Sequence, residues 1–251
     1  MGALLSSSIL RDPATSGSQT EGSSWFDVDR FRSVTTRRIT IRRCTRSLLV
    51  LGSTQSRDAV DEDALRSADV LLARRRTGGT SVLLAPDDPL WVDVWLPRGD
   101  PLWVDDVVRA PVWVGEWWAA ALDSLGIKGL KVHKGRPVPG RFSHMVCFAG
   151  IGPGEVISDG RKIVGVAQWR ARQGALTHTA AYKVWDSARL LSLLSIDGAE
   201  RNAAVRDVDR SVIGIDEALG RSAPDRAVLT ELERQLPADR PWEIVEEELP
   251  S

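Results

Sequence analysis

The sequence predicts an α+β protein. Three apolar or alternating runs between residues 155 and 184 are separated by two glycine-containing hairpin signals, a pattern typical of an antiparallel meander. Apolar residues recur at helical spacing over 107–125 and again after Asp186. Strands before residue 185, with helices around and after them, indicate one domain over 31–251 whose C-terminal helices begin at about 186.

The N-terminal part of the chain divides into two segments of different composition. Residues 1–30 are rich in Ser, Thr and Gly and lack periodicity, so we expect a flexible arm. The segment from Arg30 to Arg46 holds seven arginines and no acidic residue, arranged around β-prone residues. This predicts a solvated edge strand, with a docking face for an acidic protein as the alternative.

Composition excludes several classes of function. The hydrophobic content of 43% is ordinary for a globular protein, and the formal net charge of -1 argues against a nucleic-acid binder. No apolar run approaches the length of a membrane span, so no membrane association is expected. Two cysteines and three histidines predict neither a disulfide framework nor a metal site, and a reducing cytoplasm is the expected compartment.

Local patterns predict most of the individual elements. A buried strand at 47–51 precedes a helix at 61–68 that has acidic residues in its first turn. Over 90–96 apolar residues alternate with Trp and Asp, which predicts a strand with one buried face. A second helix begins or bends at Pro111 and ends at Gly126.

The second half of the chain adds a strand at 130–133, the meander, and a helix that Asp186 can cap. The remainder is helical and polar, and it ends in an acidic tail formed by Glu243, Glu246, Glu247 and Glu248.

Arg74, Arg75 and Arg76 lie directly before Thr77-Gly78-Gly79-Thr80, between two apolar runs. Adjacent glycines let a ligand approach the main chain, and arginines supply fixed positive charge, which together suit a phosphate or carboxylate. The same composition is typical of an ordinary solvated hairpin turn.

Lys162 follows the tight turn at Asp159-Gly160 and lies among apolar residues. A lysine held in this way provides a strong point charge for a phosphate or a developing oxyanion. A lysine at a hairpin edge, with no chemical role, is the alternative.

Three motifs together resemble the lipoate-protein ligase family, whose catalytic domain is related to that of biotin-protein ligases. The resemblance covers about residues 45 to 195. The motifs are Leu51-Gly52-Ser53-Thr54-Gln55, Arg-Arg-x-x-Gly-Gly at 74 to 79, and Asp-Gly-Arg-Lys-Ile-Val-Gly-x-Ala-Gln at 159 to 168, in the family's order and approximate spacing.

The resemblance implies a mixed, largely antiparallel sheet flanked by helices, and attachment of a lipoyl or octanoyl group to a lysine of a lipoyl acceptor domain. Such acceptors belong to 2-oxoacid dehydrogenase complexes or are the glycine cleavage H protein. Ligases of this family use ATP and Mg²⁺ to form an acyl-adenylate. By position the resemblance makes Lys162 the central residue and places Arg74, Arg75, Gly78, Gly79, Thr80, Gln55, Gly165, Gln168 and His178 at substrate or cofactor positions.

The chain departs from the family pattern at several positions. Thr80 stands where a third glycine is expected, and Leu84 where a histidine is common. Val166 replaces a serine, and Thr179 replaces a glycine after His178. A non-catalytic acyl-binding or nucleotide-binding homologue therefore remains a further interpretation.

Cys147 introduces a competing mechanism. It precedes Lys162 by 15 residues in a Val-Cys-Phe context that resembles the cysteine-dependent octanoyltransferases related to these ligases. In those enzymes a thiolate takes the acyl chain from acyl carrier protein and passes it to the acceptor lysine without ATP. A nearby Lys162 would favour the thiolate form. A small buried hydrophobe is the structural alternative for Cys147.

Overall fold

The computed structural model describes residues 28–31, 33–86 and 88–249. Within them the α-helices are α1 (Glu62–Ser67), α2 (Val112–Ser124), α3 (Ser187–Ser192), α4 (Gly198–Ser211), α5 (Ile215–Leu219) and α6 (Asp225–Arg234). The strands are β1 (Arg37–Cys44), β2 (Leu48–Leu51), β3 (Leu71–Arg74), β4 (Val82–Leu84), β5 (Leu90–Pro97), β6 (Leu130–Val132), β7 (Val156–Ser158), β8 (Arg161–Arg170), β9 (Gly174–Ala181) and β10 (Trp242–Leu249).

The strands form a large sheet of seven strands and a small sheet of three. The large sheet has the order β10-β1-β5-β9-β8-β7-β6, and every neighbouring pair in it is antiparallel except β1 and β10. The small sheet has the order β3-β2-β4. The predicted α+β class, with a mixed and largely antiparallel sheet, is therefore confirmed, as is the meander of β7, β8 and β9.

Helix α2 covers one face of the large sheet. The helix begins after Pro111, which confirms the predicted start there rather than a bend. Its Trp118 is completely buried. Val92 and Val94 of β5 and Val164 of β8 belong to the same hydrophobic cluster. The apolar positions that alternate along β5 are thus buried beneath this helix.

The small sheet lies on the side of Trp91, the opposite face of β5. Its strands β2 and β4 share a hydrophobic cluster with Trp91, Ala180 and Tyr182. The prediction of one buried face for β5 is wrong, because Asp93 and Trp95 on the second face are also buried. The small sheet packs over Trp91 on this face, and Val28 and Phe31 pack against Trp95, contacts that the local pattern does not reveal.

Strand β1 is not an edge strand, contrary to the prediction. The acidic tail forms β10, which pairs with β1 in parallel and occupies the edge. Glu243 accepts from Arg38 at 2.9 Å, and Glu247 accepts from Arg42 at 2.6 Å. Arg38 and Arg42 of β1 therefore pair with the chain's own C-terminal strand, because opposite charges face one another across the two strands.

The predicted arm lies almost entirely outside the described residues. Val28 and Phe31 are described, and both are buried beside Trp95. The division into an arm and a single domain stays a prediction. None of the described helices is long and apolar enough to cross a bilayer.

A buried charge cluster lies on the face of the large sheet that turns toward the small sheet. Asp93 is fully buried and accepts from Arg42 Nε at 2.8 Å and from Trp91 Nε1 at 2.7 Å, and its Oδ1 is 2.5 Å from His178 Nδ1. Burial by itself would raise the pKa of this carboxyl, but His178 and Arg42 outweigh burial and hold the pKa well below its usual range.

Replacing Asp93 by Asn should destabilise the protein by about 3 kcal/mol, because it leaves the buried Arg42 guanidinium without one of its carboxylates. Urea unfolding measures the loss. The exposed Asp123, paired with Lys128, is the matched control, and Asp123→Asn should change the free energy of unfolding by less than about 0.5 kcal/mol. Equal losses of stability in the two variants would contradict the stabilising role given to the Asp93 carboxylate.

Acid should remove the contribution of Asp93 to the free energy of unfolding. Because the pKa of Asp93 is lower in the folded protein than in the unfolded chain, its stabilisation is complete above the unfolded value of about 3.9 and is lost as the pH falls below it. The range from pH 5 to pH 2 extends from about one unit above that value to about two units below it. Over this range the free energy of unfolding should therefore fall by more in the wild type than in Asp93→Asn. If the free energy of unfolding falls equally with pH in the two proteins, the Asp93 carboxylate is not the source of the acid sensitivity.

Candidate active site

The loop of residues 74–80, here called the Arg-Gly loop, connects β3 to β4. These strands do not pair with each other, because β2 lies between them, so the hairpin-turn interpretation of the loop is wrong. The loop instead packs on the glycine turn after β2. A Cβ on Gly52 would lie 1.8 Å from the Gly79 carbonyl oxygen, so the first motif needs a glycine for the second to approach.

Arg75 is buried directly beneath this loop. Its Nη1 donates to the Val50 carbonyl at 3.2 Å, and its Nη2 donates to the Gly78 carbonyl at 2.9 Å and lies 3.6 Å from Cys147 Sγ. Burial lowers the pKa of this guanidinium from its usual value, although an arginine remains a cation at neutral pH. A fixed positive charge therefore lies against the thiol.

Cys147 begins a short 3-10 turn that ends at Ala149. Its backbone N–H donates to the Ser81 carbonyl at 3.1 Å, which ties the turn to the end of the Arg-Gly loop. Gly79 lies between the thiol and the arginine, with a φ of +91°, and a Cβ there would lie 2.7 Å from Arg75 Nη2 and 2.9 Å from Cys147 Sγ. The glycine is what allows these two groups to meet.

Lys162 is in the second position of β8, and only 1% of its surface is exposed. Its Nζ lies 2.6 Å from Glu155 Oε1 and donates to the carbonyls of Cys147 at 3.0 Å and Gly150 at 3.1 Å. The alternative of an exposed hairpin-edge lysine is therefore wrong. The structure brings Lys162 to the backbone of Cys147, and it places Arg75 rather than Lys162 within contact distance of the sulfur.

A narrow, mostly apolar pocket opens at Cys147. The cavity itself has a volume of about 20 Å³ and opens to solvent. The pocket is lined by the Arg-Gly loop, by β4, by the turn of Cys147 and by the central strands of the large sheet. The lining residues include Arg75, Val82, Trp91, Phe148, Gly165 and Ala180.

His178 lies in the wall of the same pocket, where Asp93 fixes its orientation. A carboxylate can only accept, so the bond places the imidazole proton on Nδ1. Gly165 is also a wall residue. A Cβ there would lie 3.0 Å from the Phe148 ring, so this glycine makes room for the aromatic side of the pocket.

Two predicted site residues make contacts that hold the loops. Arg74 Nη1 donates to the carbonyls of Gly52 at 2.8 Å and Gln55 at 2.6 Å. The Gln55 side chain donates to Ser81 Oγ at 2.9 Å. Both residues therefore stabilise the junction of the first two motifs, and neither lines the pocket as described.

Three further predicted residues are also placed outside the pocket. Thr80 Oγ1 donates to the Ser143 carbonyl at 2.9 Å, and Gly78 contributes its carbonyl to Arg75. Gln168 donates to Thr177 Oγ1 at 3.0 Å and lines a separate cavity below α2. Their roles in substrate binding stay predictions.

Sequence reasoning missed two buried carboxylates, Glu155 and Asp93. The sequence pattern places Glu155 only at the start of the predicted meander, and Asp93 only in the alternation of a predicted strand. Both could have been identified as acidic residues among apolar neighbours in a predicted buried strand, since such a residue requires a cationic partner.

The ligase interpretation implies ATP and Mg²⁺, and a nucleotide phosphate needs a cation or N–H donors that the protein leaves available. The charge of Lys162 is balanced by Glu155, and Arg75 donates to two carbonyls. As arranged, these two cations do not fit an acyl-adenylate phosphate, which would have to displace the Glu155 carboxylate.

Two curated relatives match part of the chain. The octanoyltransferase LipM of Exiguobacterium sp. is 26% identical over 166 residues, which are 64% of this chain and 59% of the relative. The octanoyltransferase LipM of Clostridioides difficile is 23% identical over 165 residues, 65% of this chain and 60% of the relative. The chain thus spans about three fifths of the length of these relatives.

Solved structures of lipoate ligases share the fold. The bipartite lipoate protein ligase of Thermoplasma acidophilum, studied with its E2 lipoyl domain, superposes with a TM-score of 0.67 at 19% identity and covers 90% of this chain and 81% of its own. A lipoate-protein ligase A bound with ATP gives a TM-score of 0.58 at 19% identity, covering 90% and 83%.

The family assignment rests on a sequence match that covers most of the chain. The sequence profile of the lipoyl protein ligase A/B catalytic domain matches residues 35–236, which is most of the chain. The resemblance carried by the three motifs is thereby confirmed, and the chain belongs to the lipoyl protein ligase A/B catalytic domain family, a family of enzymes.

Proposed function

We propose that this chain is a cysteine-dependent acyltransferase that moves an octanoyl group from a thioester donor to a lysine of a lipoyl acceptor domain. One observation carries the proposal: Cys147 Sγ faces an apolar pocket with the Arg75 guanidinium 3.6 Å away. A cation beside a partly exposed thiol is the environment that makes a cysteine nucleophilic.

The two steps balance without a further reagent. The Cys147 thiolate attacks the donor carbonyl, the new C–S bond forms as the donor C–S bond breaks, and the donor leaves as a thiolate that takes up a proton. The acceptor lysine amine then attacks the acyl-enzyme carbonyl, its C–N bond forms, and the bond to Sγ breaks. The amine loses a proton to solvent, and the Cys147 thiolate is restored.

The pocket supports this chemistry in two ways. Val82, Trp91 and Phe148 offer an apolar surface to an alkyl chain. An alkyl chain bound against these walls would itself shield the thioester from water, which would limit hydrolysis of the acyl-enzyme before the acceptor binds.

The comparisons support the choice of donor and acceptor. Both curated relatives are named octanoyltransferases, and a structural relative was studied with an E2 lipoyl domain. We propose acyl carrier protein as the donor because the Cys147 context resembles the cysteine-dependent octanoyltransferases, and a lipoyl acceptor domain as the partner that supplies the lysine.

A lipoate-protein ligase that forms an acyl-adenylate is the second candidate. Lys162 and the Arg-Gly loop carry the family motif on which it rests, and one neighbour was solved with ATP. The pairing of Lys162 with Glu155 weighs against it, since an adenylate needs that charge.

Octanoyl acyl carrier protein, without ATP, should acylate a lipoyl domain in multiple turnovers, and intact mass of the acceptor measures it. Cys147→Ser should abolish the transfer, because it removes the nucleophile. Cys44→Ser is the matched control and should keep full activity, since burial raises the pKa of the Cys44 thiol to about 11. Transfer only from octanoate with ATP would establish the second candidate instead.

Gly79→Ala should lower the transfer rate by about a hundredfold, because the new Cβ displaces Arg75 or Cys147 and strains a left-handed residue. Gly78 has open space at its Cβ position, so Gly78→Ala should retain near wild-type activity. Single-turnover transfer measures both rates, and thermal melts verify folding. Indistinguishable rates for the two variants would refute the role given to the Arg75–Cys147 contact.

A further inference from the structure

Three protein oxygens lie within 3.1 Å of the Lys162 ammonium nitrogen, as many as it has N–H bonds. They belong to the Glu155 carboxylate and to the carbonyls of Cys147 and Gly150. The Phe148 ring covers the ammonium, with its centroid 4.7 Å from Nζ. Lys162 is thus engaged with the turn that carries the nucleophile.

Glu155 is itself held rigidly, with only 4% of its surface exposed. Its Oε2 accepts from the Gly152 N–H at 2.7 Å, and its Oε1 accepts from the Val166 N–H at 3.2 Å. The carboxylate is therefore fixed to the turn before β7 and to the middle of β8. A negative charge in this position compensates the charge of the buried ammonium and keeps it in place.

The backbone of Cys147 is restrained on both sides. Its N–H donates to Ser81, and its carbonyl accepts from Lys162. We propose that Glu155 is a positioning residue which, through Lys162, holds the turn of Cys147 so that the thiol meets Arg75. This inference rests on the proposed acyl transfer only for its effect on the rate. The structural arrangement itself can be tested without any substrate.

The positioning role differs from a role in which Lys162 binds the substrate. If Lys162 contacted the substrate, loss of the Glu155 charge would release the ammonium and lower the KM for the acyl donor. If the pair positions Cys147, the same change loosens the nucleophile. It then lowers kcat and leaves the KM for the donor unchanged.

Glu155→Gln keeps the shape of the side chain and removes its charge. We expect kcat for transfer to fall about tenfold with an unchanged KM for octanoyl acyl carrier protein. Glu116, an exposed glutamate paired with Lys134, gives the control variant Glu116→Gln, for which both constants should match the wild type. A lowered KM, or an unchanged kcat, in Glu155→Gln would overturn the proposal.

A second measurement does not depend on transfer. Iodoacetamide labels Cys147 and Cys44, and peptide mass analysis gives the ratio of the two rates in one sample. Cys44 lies in β1, and its Sγ donates to the Arg46 carbonyl, away from Glu155, so it serves as an internal reference. The ratio of the Cys147 rate to the Cys44 rate should fall about tenfold in Glu155→Gln, because the thiol loses its place beside Arg75. An unchanged ratio would overturn the positioning role even if acyl transfer is found.

The double variant Glu155→Gln with Lys162→Met covers the case in which the single variant is unstable. Removing both charges should restore the midpoint of urea unfolding toward that of the wild type, since no uncompensated charge remains. The Cys147 labelling ratio should stay low, because the bond to the Cys147 carbonyl is gone. Restoration of both quantities would mean that the pair only balances charge, and would contradict the proposal. Absence of acyl transfer in every protein would instead refute the proposed function.

Discussion

The structure depends on one contact, in which the buried Arg75 guanidinium meets the Cys147 thiol across Gly79. A cation can remain in this interior only if acceptors surround it, and the carbonyls of Val50 and Gly78 supply them. These carbonyls come from β2 and from the Arg-Gly loop. The need to enclose one charge therefore determines how the small sheet, the loop and the turn of Cys147 meet.

Other buried charges around the pocket are also compensated by nearby groups. Lys162 is paired with Glu155, and Arg42 is paired with Asp93, which also orients His178. The Phe148 ring covers the Lys162 ammonium, and Asp93 is bonded to the wall residues Trp91 and His178. The pocket therefore combines an apolar surface suited to an alkyl chain with compensated charges behind its lining. Fixed, compensated charges of this kind are already oriented before a substrate binds.

Sequence patterns predicted what depends on neighbouring residues. The start of α2 at Pro111, the cap at Asp186 and the turn before Lys162 are local features, and the structure has them. Pairing between distant segments was not predicted: the acidic tail forms β10 beside β1, so the arginines there do not lie at an edge. The same limit applies to the candidate site, whose residues stay predictions. Motif residues were identified, but their partners, such as Glu155, depend on tertiary contacts.

The most direct test of the account is to locate the acyl group during a single turnover. The chain is mixed with octanoyl acyl carrier protein in the absence of ATP and an acceptor, quenched in acid, and digested for peptide mass mapping. The account predicts an octanoyl thioester on the peptide containing Cys147 and its disappearance when a lipoyl domain is added before the quench. Transfer to the lipoyl domain with Cys147 never acylated would contradict it.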